Sequence, residues 1–507
     1  MIARQPVAVA CIAAFLCFLP FMLTRDFTPD NELRYVEIAD EALSDGHVFA
    51  FTLNGEPYAD KPPLYLWLVM LLRLLAGRHV VFLLSLLSLV PAFVTVWTMD
   101  RWLRMEKEVS SLGRFALALV LLTSGMFLGS SVFLRMDQMM GMFIVLALFS
   151  FYKWYTGKGN PRVERWMFPV WTFLALFTKG PVGLLMPLLS VGVFLFLERI
   201  SRRNAAPAIV PAAPHYLGFR TFGTLLVLSA LWLLCVWIEG GSDYLYNLTV
   251  HQTVGRAANA FTHSEPFYYY CWGIFVDLAP WCLLIVPVVV AGLFRTRRPL
   301  EADRRDNPAW IRTLLSVTIW ILMAVSAVCT IGLAAAKITR CNDILRLVAD
   351  APYLLSLKVI AGAALLLAAS VLALRLLRRG LAAPAIVSAA SGILALVLCA
   401  GLAMDQINPY IGYGDLCSKV PAGSNVATLN IRRPENMKVY LGKPITDFGK
   451  KPEEFMAAFR NGDAAQFDVL LIKTSKLDSN PDLQAFLSPH TSDTITSGPY
   501  TAVLLHP

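Results

Sequence analysis

The chain has 507 residues, of which 57% are hydrophobic and only 16% are charged. An ordinary soluble domain carries about 25% charged residues. Apolar runs long enough to cross a hydrocarbon core of about 30 Å recur from Pro6 to Ala403. These features exclude one large soluble domain. The net charge of +9 does not indicate nucleic-acid binding, because most Lys and Arg residues lie in alternate loops between apolar runs.

The first apolar run, Pro6–Leu23, predicts an uncleaved membrane helix, because no small-residue cleavage site follows it. Its N-terminus is expected inside. Further apolar segments follow at Pro63–Ala76, His79–Met99, Leu112–Ser130, Gln138–Tyr155, Trp166–Thr178, Pro181–Leu197, Thr221–Ile238, Trp272–Phe294, Ile311–Ala336, Tyr353–Leu374 and Ala382–Ala403.

The positive charges decide which segments cross. If all of them cross, Arg101, Arg104 and Lys107 lie outside, against the usual bias. If Pro63–Ala76 instead lies at the interface, every basic cluster becomes cytoplasmic. We therefore expect about eleven crossings, within an all-α polytopic domain of about 11–13 helices, and a C-terminal tail outside.

In the tail, short apolar runs replace the long ones. This pattern predicts a small soluble α/β domain over 405–507, after a membrane domain over 1–404. Its expected role is that of a lid or of an acceptor-docking domain. Cys341 and Cys417 are the only cysteines that look free to form a disulfide. The expected strands are Asn425–Leu429, Lys438–Leu441, Phe467–Ile472 and Thr501–Leu505, and the expected helices are Pro452–Arg460 and Pro481–Leu487.

The first external loop, residues 25–62, begins with acidic residues. Asp30 and Glu32 stand where the chain leaves the first membrane helix, and ionisable groups at that depth are functional by default. An amphipathic helix follows, and we expect its Glu37, Asp40 and Glu41 to form a solvated face.

Further polar groups lie in the other external loops. Asn54-Gly55 predicts a turn. Lys61 lies before an interfacial segment, where it can anchor a lipid phosphate or simply extend to the membrane surface. The tyrosines around Tyr268 can equally form an aromatic belt. The other polar residues of the external loops are Arg135, Asp137, Lys179, His251, Arg256, His263 and Lys337. Together, the carboxylates, cations and tyrosines of these loops suit the binding of an anionic lipid that carries a polar group.

Several stretches, taken in their order along the chain, resemble the lipid-linked-sugar glycosyltransferases of the GT-C fold. The branch they resemble contains the bacterial aminoarabinose transferase and, more distantly, the protein O-mannosyltransferases. The resemblance runs from Asp30 to about Trp281. Its motifs are Asp30-Asn31-Glu32-Leu33-Arg34-Tyr35, Tyr58-Ala59-Asp60-Lys61-Pro62-Pro63, Arg135-Met136-Asp137, Thr178-Lys179-Gly180-Pro181 and His251 to Arg256, with His263, Pro266–Tyr270 and Pro280-Trp281.

The resemblance implies roles for individual residues. Asp30 is the expected main catalytic carboxylate, and Asp137 and Glu32 assist it. Tyr58, Lys61 and Arg256 are expected to bind the polyprenyl phosphate. Asp60 and His251 match positions that can hold a divalent metal, and the resemblance leaves open whether the reaction needs one. Additional site candidates are Arg34, Tyr35, Arg135, Lys179, His263, Tyr268 and Lys337.

The implied function is transfer of a sugar from a polyprenyl-phosphate donor to an extracytoplasmic lipid A-like lipid, glycan or protein, with inversion, in the bacterial inner membrane. Expected partners are the donor, the acceptor and membrane lipids, but not nucleic acid. The sequence departs from the family pattern after Lys337, so the acceptor side can differ. A flippase of lipid-linked sugars is the alternative, although paired halves with interrupted helices are missing.

Overall fold

The computed structural model describes residues 4–203, 216–255, 266–295, 309–339, 348–460 and 467–506. The chain divides into two compact units. The first contains 1–15, 38–319 and 373–390, and the second contains 16–37, 320–372 and 391–507. Cys341, Arg256 and His263 lie outside the described residues, so the predicted disulfide and two site candidates have no structural account here.

In the described residues before the tail, helices predominate, with one short hairpin in the first loop. These helices are Pro6–Thr24, Glu32–Asp45, Leu64–Ala76, Val81–Glu106, Ser111–Leu122, Gly125–Val132, Met136–Tyr155, Pro161–Lys179, Pro181–Arg203, Phe219–Tyr246, a π-helix Asn247–Gly255, Phe267–Asp277, Cys282–Arg295, Ala309–Thr339, a 3₁₀ turn Pro352–Leu355, Leu357–Arg378 and Ala382–Leu402.

Among the described residues, seven helices are long and apolar enough to cross a membrane, and a bent pair can supply an eighth. The protein is therefore a multi-span membrane protein. The helix Leu64–Ala76 has only 13 residues. At 1.5 Å per residue it covers about 20 Å, less than a bilayer core. This length fits the expected interfacial segment, and the left-handed Gly77 ends the helix.

Two predicted crossings are broken helices, so the expectation of a single continuous span is wrong for both. Leu112–Ser130 bends by 71° between Leu122 and Gly125. Trp272–Phe294 is interrupted before Cys282, because Pro280 has no N–H to continue a helix. A hydrogen bond joins the two breaks, because Gly125 N–H donates to the Ala279 carbonyl at 2.7 Å. The Trp281 indole, fully buried, donates to Thr123 Oγ1 at 2.9 Å.

The tail folds into one sheet. Its strands are β3 (Val426–Leu429), β4 (Thr446–Asp447), β5 (Val469–Lys473), β6 (Thr491–Ser497) and β7 (Tyr500–Leu505), after the hairpin strands β1 (Thr52–Leu53) and β2 (Glu56–Pro57) in the first loop. The tail sheet has the order β4-β3-β5-β7-β6. Strands β3, β4 and β5 run parallel, while β7 and β6 are antiparallel, and β6 contains an irregularity between Thr491 and Asp493.

The tail core is apolar and combines mostly aliphatic side chains with phenylalanines. Phe455 and Leu470 are fully buried in it. The predicted helices Pro452–Arg460 and Pro481–Leu487 are present with those bounds. The expected strand Lys438–Leu441 is instead a short helix that ends at the left-handed Gly442. The other tail helices are Met404–Ile411, Gly414–Ser418, the 3₁₀ turn Pro434–Met437, Thr474–Asp478 and the 3₁₀ turn Ser488–His490.

Candidate active site

The loop after the first helix is closed by a buried ion pair. Arg25 Nη1 and Nη2 each lie 2.7 Å from a carboxylate oxygen of Glu32. The Thr28 backbone N–H and hydroxyl donate to the same carboxylate at 2.7 and 2.9 Å. The side chain of Glu32 is 1% exposed. The Glu32 carboxylate thus holds the loop that carries Asp30, and its expected assistance to Asp30 stays a prediction.

Asp30 projects from this closed loop and remains accessible. Its side chain is 40% exposed, and Oδ1 lies 3.0 Å from Nε of Arg432 in the tail. Next to it, Asn436 Nδ2 donates to the Pro29 carbonyl at 2.6 Å. A carboxylate in this position can accept a proton from a bound hydroxyl.

A second carboxylate of the same segment ties the loop to the tail. Asp26 Oδ2 accepts from Gly414 N–H at 2.5 Å, and Oδ1 accepts from the Tyr440 hydroxyl. Burial, together with the negative charge of Asp26, raises the pKa of Tyr440 well above its usual value. Tyr440 therefore remains a neutral donor at physiological pH. The sequence motifs gave no indication of this clamp.

The acidic face of the helix Glu32–Asp45 is only partly solvated, and the expectation of a fully solvated face is wrong for Glu37. Glu37 is buried and lies 2.6 Å from Lys438 Nζ. Asp40 lies 3.0 Å from Nε2 of His79 and 3.0 Å from Nε of Arg73. Burial raises the pKa of Asp40, but the hydrogen bonds and charges of His79 and Arg73 outweigh it and hold this pKa below its usual value.

Glu41, the third member of that face, supports the predicted Asn54-Gly55 turn. It accepts from Thr52 Oγ1 at 2.9 Å and from Asn54 N–H at 2.7 Å. Asn54 and Gly55 both have positive φ, 54° and 78°, which is the conformation of the type I′ hairpin turn that joins β1 to β2.

Three candidate residues come together directly after this hairpin. Lys61 Nζ lies 3.1 Å from Asp60 Oδ2, and the Tyr58 hydroxyl donates to the same oxygen at 3.3 Å. The side chains of Lys61 and Asp60 are each 16% exposed. The lysine is therefore held in a fixed, mostly desolvated position, where a cation attracts an anion more strongly than in water.

Two residues that the sequence interpretation missed hold this segment in place. Glu239 Oε1 accepts from three consecutive backbone N–H groups, those of Val48, Phe49 and Ala50, each at 2.8 Å. The Tyr244 hydroxyl accepts from Phe51 N–H at 3.0 Å and donates to the Tyr58 carbonyl at 2.7 Å. The only sequence signal was Glu239-Gly240-Gly241, a polar interruption at the end of an apolar run.

Asp137 and Lys179 form an ion pair between two other helix ends. Asp137 lies in the first turn of Met136–Tyr155, and Lys179 is in the last turn of Pro161–Lys179. These are the ends where helix dipoles favour each charge. Their side chains are about one-third exposed, at 31% and 32%. The neighbouring Arg135 is fixed through its backbone, because its N–H donates to Ser88 Oγ at 3.0 Å.

The remaining candidates are more dispersed. Arg34 donates to Asn31 Oδ1 at 2.6 Å, and Tyr35 is buried. Lys337 donates to the Leu355 carbonyl at 2.9 Å, and Tyr268 is 63% exposed.

The donor set does not fit the metal site implied by the resemblance. Asp60 Oδ2 is engaged by Lys61 and Tyr58. Within the described part of the chain, no group of three or more His, Cys, Asp and Glu side chains could hold an ion near Asp60, near His251 or elsewhere. We therefore derive no catalytic step that uses a metal.

Comparison with known proteins places this geometry in context. No protein-family profile matches the chain. It is 25% identical over 315 residues to the undecaprenyl phosphate-α-4-amino-4-deoxy-L-arabinose arabinosyl transferase of Pectobacterium atrosepticum, which covers 61% of this chain and 54% of that protein. It is 24% identical over 337 residues to the protein of the same name from Pseudomonas aeruginosa, covering 64% and 55%. The chain thus spans about half the length of these relatives.

Similarity to solved structures extends over nearly the whole chain. The crystal structure of ArnT from Cupriavidus metallidurans in the apo state has a TM-score of 0.64 at 18% identity, over 98% of this chain and 97% of that one. The chain has the GT-C fold. The same ArnT bound to undecaprenyl phosphate also gives a TM-score of 0.64, at 16% identity. The GT-C membrane domain and the small tail sheet predicted from the sequence are both confirmed.

The two units divide the GT-C candidate residues between them. Asp30, Glu32, Arg34, Tyr35 and Lys337 belong to the second unit. The convergence of both groups in a single cavity stays a prediction. The candidates in the first unit are Tyr58, Asp60, Lys61, Arg135, Asp137, Lys179, His251 and Tyr268.

Proposed function

We propose that the protein is a membrane glycosyltransferase that moves a sugar from a polyprenyl-phosphate donor to an extracytoplasmic acceptor, with inversion at the anomeric carbon. The observation that carries the proposal is the GT-C fold over 98% of the chain, shared with a protein whose structure was solved with undecaprenyl phosphate. The relatives named arabinosyl transferases support the same reaction class.

The donor phosphate binds at Lys61 in this proposal. Lys61 already pairs with an anion, the Asp60 carboxylate, and Tyr58 donates to the same oxygen. A phosphate that enters here replaces or joins that carboxylate as the partner of the ammonium group. Arg256 shares the phosphate. As the bond between the anomeric carbon and the phosphate oxygen breaks, these cations stabilise the negative charge that stays on polyprenyl phosphate.

Asp30 acts on the acceptor. An acceptor hydroxyl oxygen attacks the anomeric carbon on the face opposite the leaving phosphate, and the hydroxyl proton goes to the Asp30 carboxylate. An acceptor that is already an anion needs only orientation by Asp30. Asp137, held by Lys179, orients the sugar in this mechanism. One displacement at carbon inverts its configuration.

The protein acts in the bacterial inner membrane, with its N-terminus in the cytoplasm and its tail outside. Its proposed partners are the lipid-linked sugar, membrane lipids and a lipid, glycan or protein acceptor. The clusters of Arg and Lys in alternate loops support this orientation.

Substitution of Asp30 tests the proposal. The purified protein is incubated with labelled polyprenyl-phosphate sugars and membrane extract, and free polyprenyl phosphate and labelled product are measured. We expect Asp30→Asn to lower transfer by at least about two orders of magnitude, the usual contribution of a general base, while folding is unchanged. The matched control is Asp45→Asn, at the exposed end of the adjoining helix.

Two outcomes contradict the proposal. Near-normal transfer by Asp30→Asn removes Asp30 from the reaction. Movement of intact labelled donor across the bilayer, with no release of polyprenyl phosphate from the wild-type protein, shows a flippase instead of a transferase.

A further inference from the structure

The tail sheet has a topological switch point at the end of β3. From β3 the chain moves to β4 on one side and then to β5 on the other side, and all three strands are parallel. In open α/β sheets, ligands bind outside the carboxyl ends of the strands at such a point. Here β3 ends at Leu429, and the segment Asn430–Arg433 follows directly.

This segment has an unusual and fixed backbone. Asn430 and Arg433 have positive φ values of 54° and 53°, a region that costs free energy for residues other than glycine. Asn430 N–H donates to the Gly449 carbonyl at 2.6 Å. The buried Tyr413 hydroxyl donates to the Arg432 carbonyl. The strained backbone therefore gives Arg432 a defined place.

The residues just after this segment contact the stretch of chain around Asp30. Asn436, 2% exposed, donates to the Pro29 carbonyl. Lys438 pairs with the buried Glu37. These two contacts, from either side of Met437, bring the switch point of the tail against the proposed catalytic carboxylate.

The ion pair between Arg432 and Asp30 is too exposed to be explained by stability. The side chain of Arg432 is 77% exposed and that of Asp30 is 40% exposed. Solvated pairs contribute about 0–1 kcal/mol. The contact given for this pair is between Nε of Arg432 and Oδ1 of Asp30. A guanidinium has five N–H donors in all, so the Arg432 side chain has further donors for another group. The nearby pair of Arg25 and Glu32, by contrast, is buried and bidentate.

We propose that Arg432 is an acceptor-binding residue, whose guanidinium takes an anionic oxygen group of the acceptor, a phosphate or carboxylate, beside Asp30. This inference rests on the proposed function and adds to it a contribution of the tail to the active site. A planar guanidinium with five donors suits such a group, and binding places the nucleophilic oxygen at the carboxylate.

Kinetics with separate variation of donor and acceptor provides the first test. The probes are lipid A and the same lipid after removal of its phosphates, presented to the full-length protein in detergent. We expect Arg432→Gln to raise the KM for lipid A by roughly ten- to hundredfold, the loss expected for a charged hydrogen bond. The KM for the donor should not change, and Arg432→Lys should recover part of the loss.

The neighbouring Arg433 provides the matched control. Its side chain is 58% exposed and pairs with Glu435 at 3.5 Å, so Arg433→Gln should leave both KM values unchanged. A rise in donor KM in Arg432→Gln would assign Arg432 to the donor and overturn the proposal. A fall in kcat alone, or equal effects of both variants, would also overturn it.

A second measurement does not depend on turnover. Phenylglyoxal modifies exposed arginines, and mass spectrometry resolves Arg432 from Arg433. We expect lipid A to slow modification of Arg432 about tenfold or more at saturation, without an effect on Arg433, and dephosphorylated lipid A to slow neither. Protection by inorganic phosphate alone would identify a free anion as the ligand and overturn the acceptor assignment, as would no protection. If the wild type transfers no sugar, the proposed function fails, and this measurement still decides the role of Arg432.

Discussion

Arg25 and Glu32, on either side of Asp30 in the chain, form an ion pair that is fully enclosed, with side chains 0% and 1% exposed. Breaking a buried pair by neutralising one partner leaves the other charge uncompensated, which costs about 3–5 kcal/mol. The pair therefore fixes the loop that presents the proposed catalytic carboxylate.

We expect Glu32→Gln to destabilise the protein by about 3 kcal/mol, because Arg25 stays buried and charged. Unfolding in detergent, followed by tryptophan fluorescence, measures the change. The control is Glu454→Gln, the same substitution in an exposed pair with Lys451, which should change stability by under about 1 kcal/mol. Equal effects of the two substitutions would show that burial is not the cause.

At the residue scale, contacts between chain neighbours were predictable from the sequence, but contacts with distant partners were not. Asp60 and Lys61 are adjacent in the chain, and their contact follows from that adjacency. The partners of Glu37 and Asp30 lie in the tail, at Lys438 and Arg432. Composition alone does not show that a cation from a distant part of the chain covers an acidic helix face. The wrong expectation of a solvated Glu37 therefore could not be avoided from the sequence.

At the scale of elements, the Glu239–Gly241 interruption supports the loop that carries the proposed donor site. Glu239 caps three backbone N–H groups of the first loop, and Gly240 packs against that loop. A Cβ on Gly240 would lie 2.7 Å from Cβ of Ala50 and 2.9 Å from Cβ of Tyr244. Neither atom is the flexible end of a side chain, so the loop itself must shift.

We therefore expect Gly240→Ala to cost about 1–3 kcal/mol, the usual result of overpacking, and to raise the KM for the donor because Tyr58 and Lys61 are displaced. Unfolding and donor kinetics measure both effects. Gly273→Ala is the control, since a Cβ there meets nothing within 4 Å. If Gly240→Ala destabilises the protein but leaves the donor KM unchanged, the Glu239–Gly241 interruption does not position the proposed donor site.

Short elements were the least predictable from sequence. Lys438–Leu441 has the composition of a strand but forms a helix, because Pro434 starts a turn before it and Gly442 ends it. The strand β6 was missed because Thr491–Ser497 is polar and mostly exposed. The helices Pro452–Arg460 and Pro481–Leu487 were predictable, since a proline in the first turn marks where each begins.

At the scale of the whole molecule, the predicted boundary after residue 404 and the two compact units are different divisions. The second unit joins the tail to Leu16–Glu37, Trp320–Leu372 and Ser391–Leu402. Composition changes sharply at the start of the tail, which made that boundary visible. Contacts such as the one from Asp26 to Gly414 connect distant parts of the chain and leave no local pattern.

The orientation of the chain gives a prediction at this scale. We expect a single cysteine at Lys450, an exposed tail position, to react with a membrane-impermeant maleimide in intact spheroplasts. A cysteine at Arg199, exposed at the end of Pro181–Arg203, should react only after permeabilisation. The reverse pattern would place the tail, and with it Asp30, in the cytoplasm.

The edges of the tail sheet determine how readily neighbouring copies of the protein could pair through their strands. One edge, β4, is two residues long, and the other, β6, is polar and interrupted by an irregularity. Short, polar or bulged edges offer a poor template for pairing with another chain. Neighbouring copies therefore gain little by adding strands to one another, and the protein can accumulate in its membrane without fibrous aggregation through this sheet.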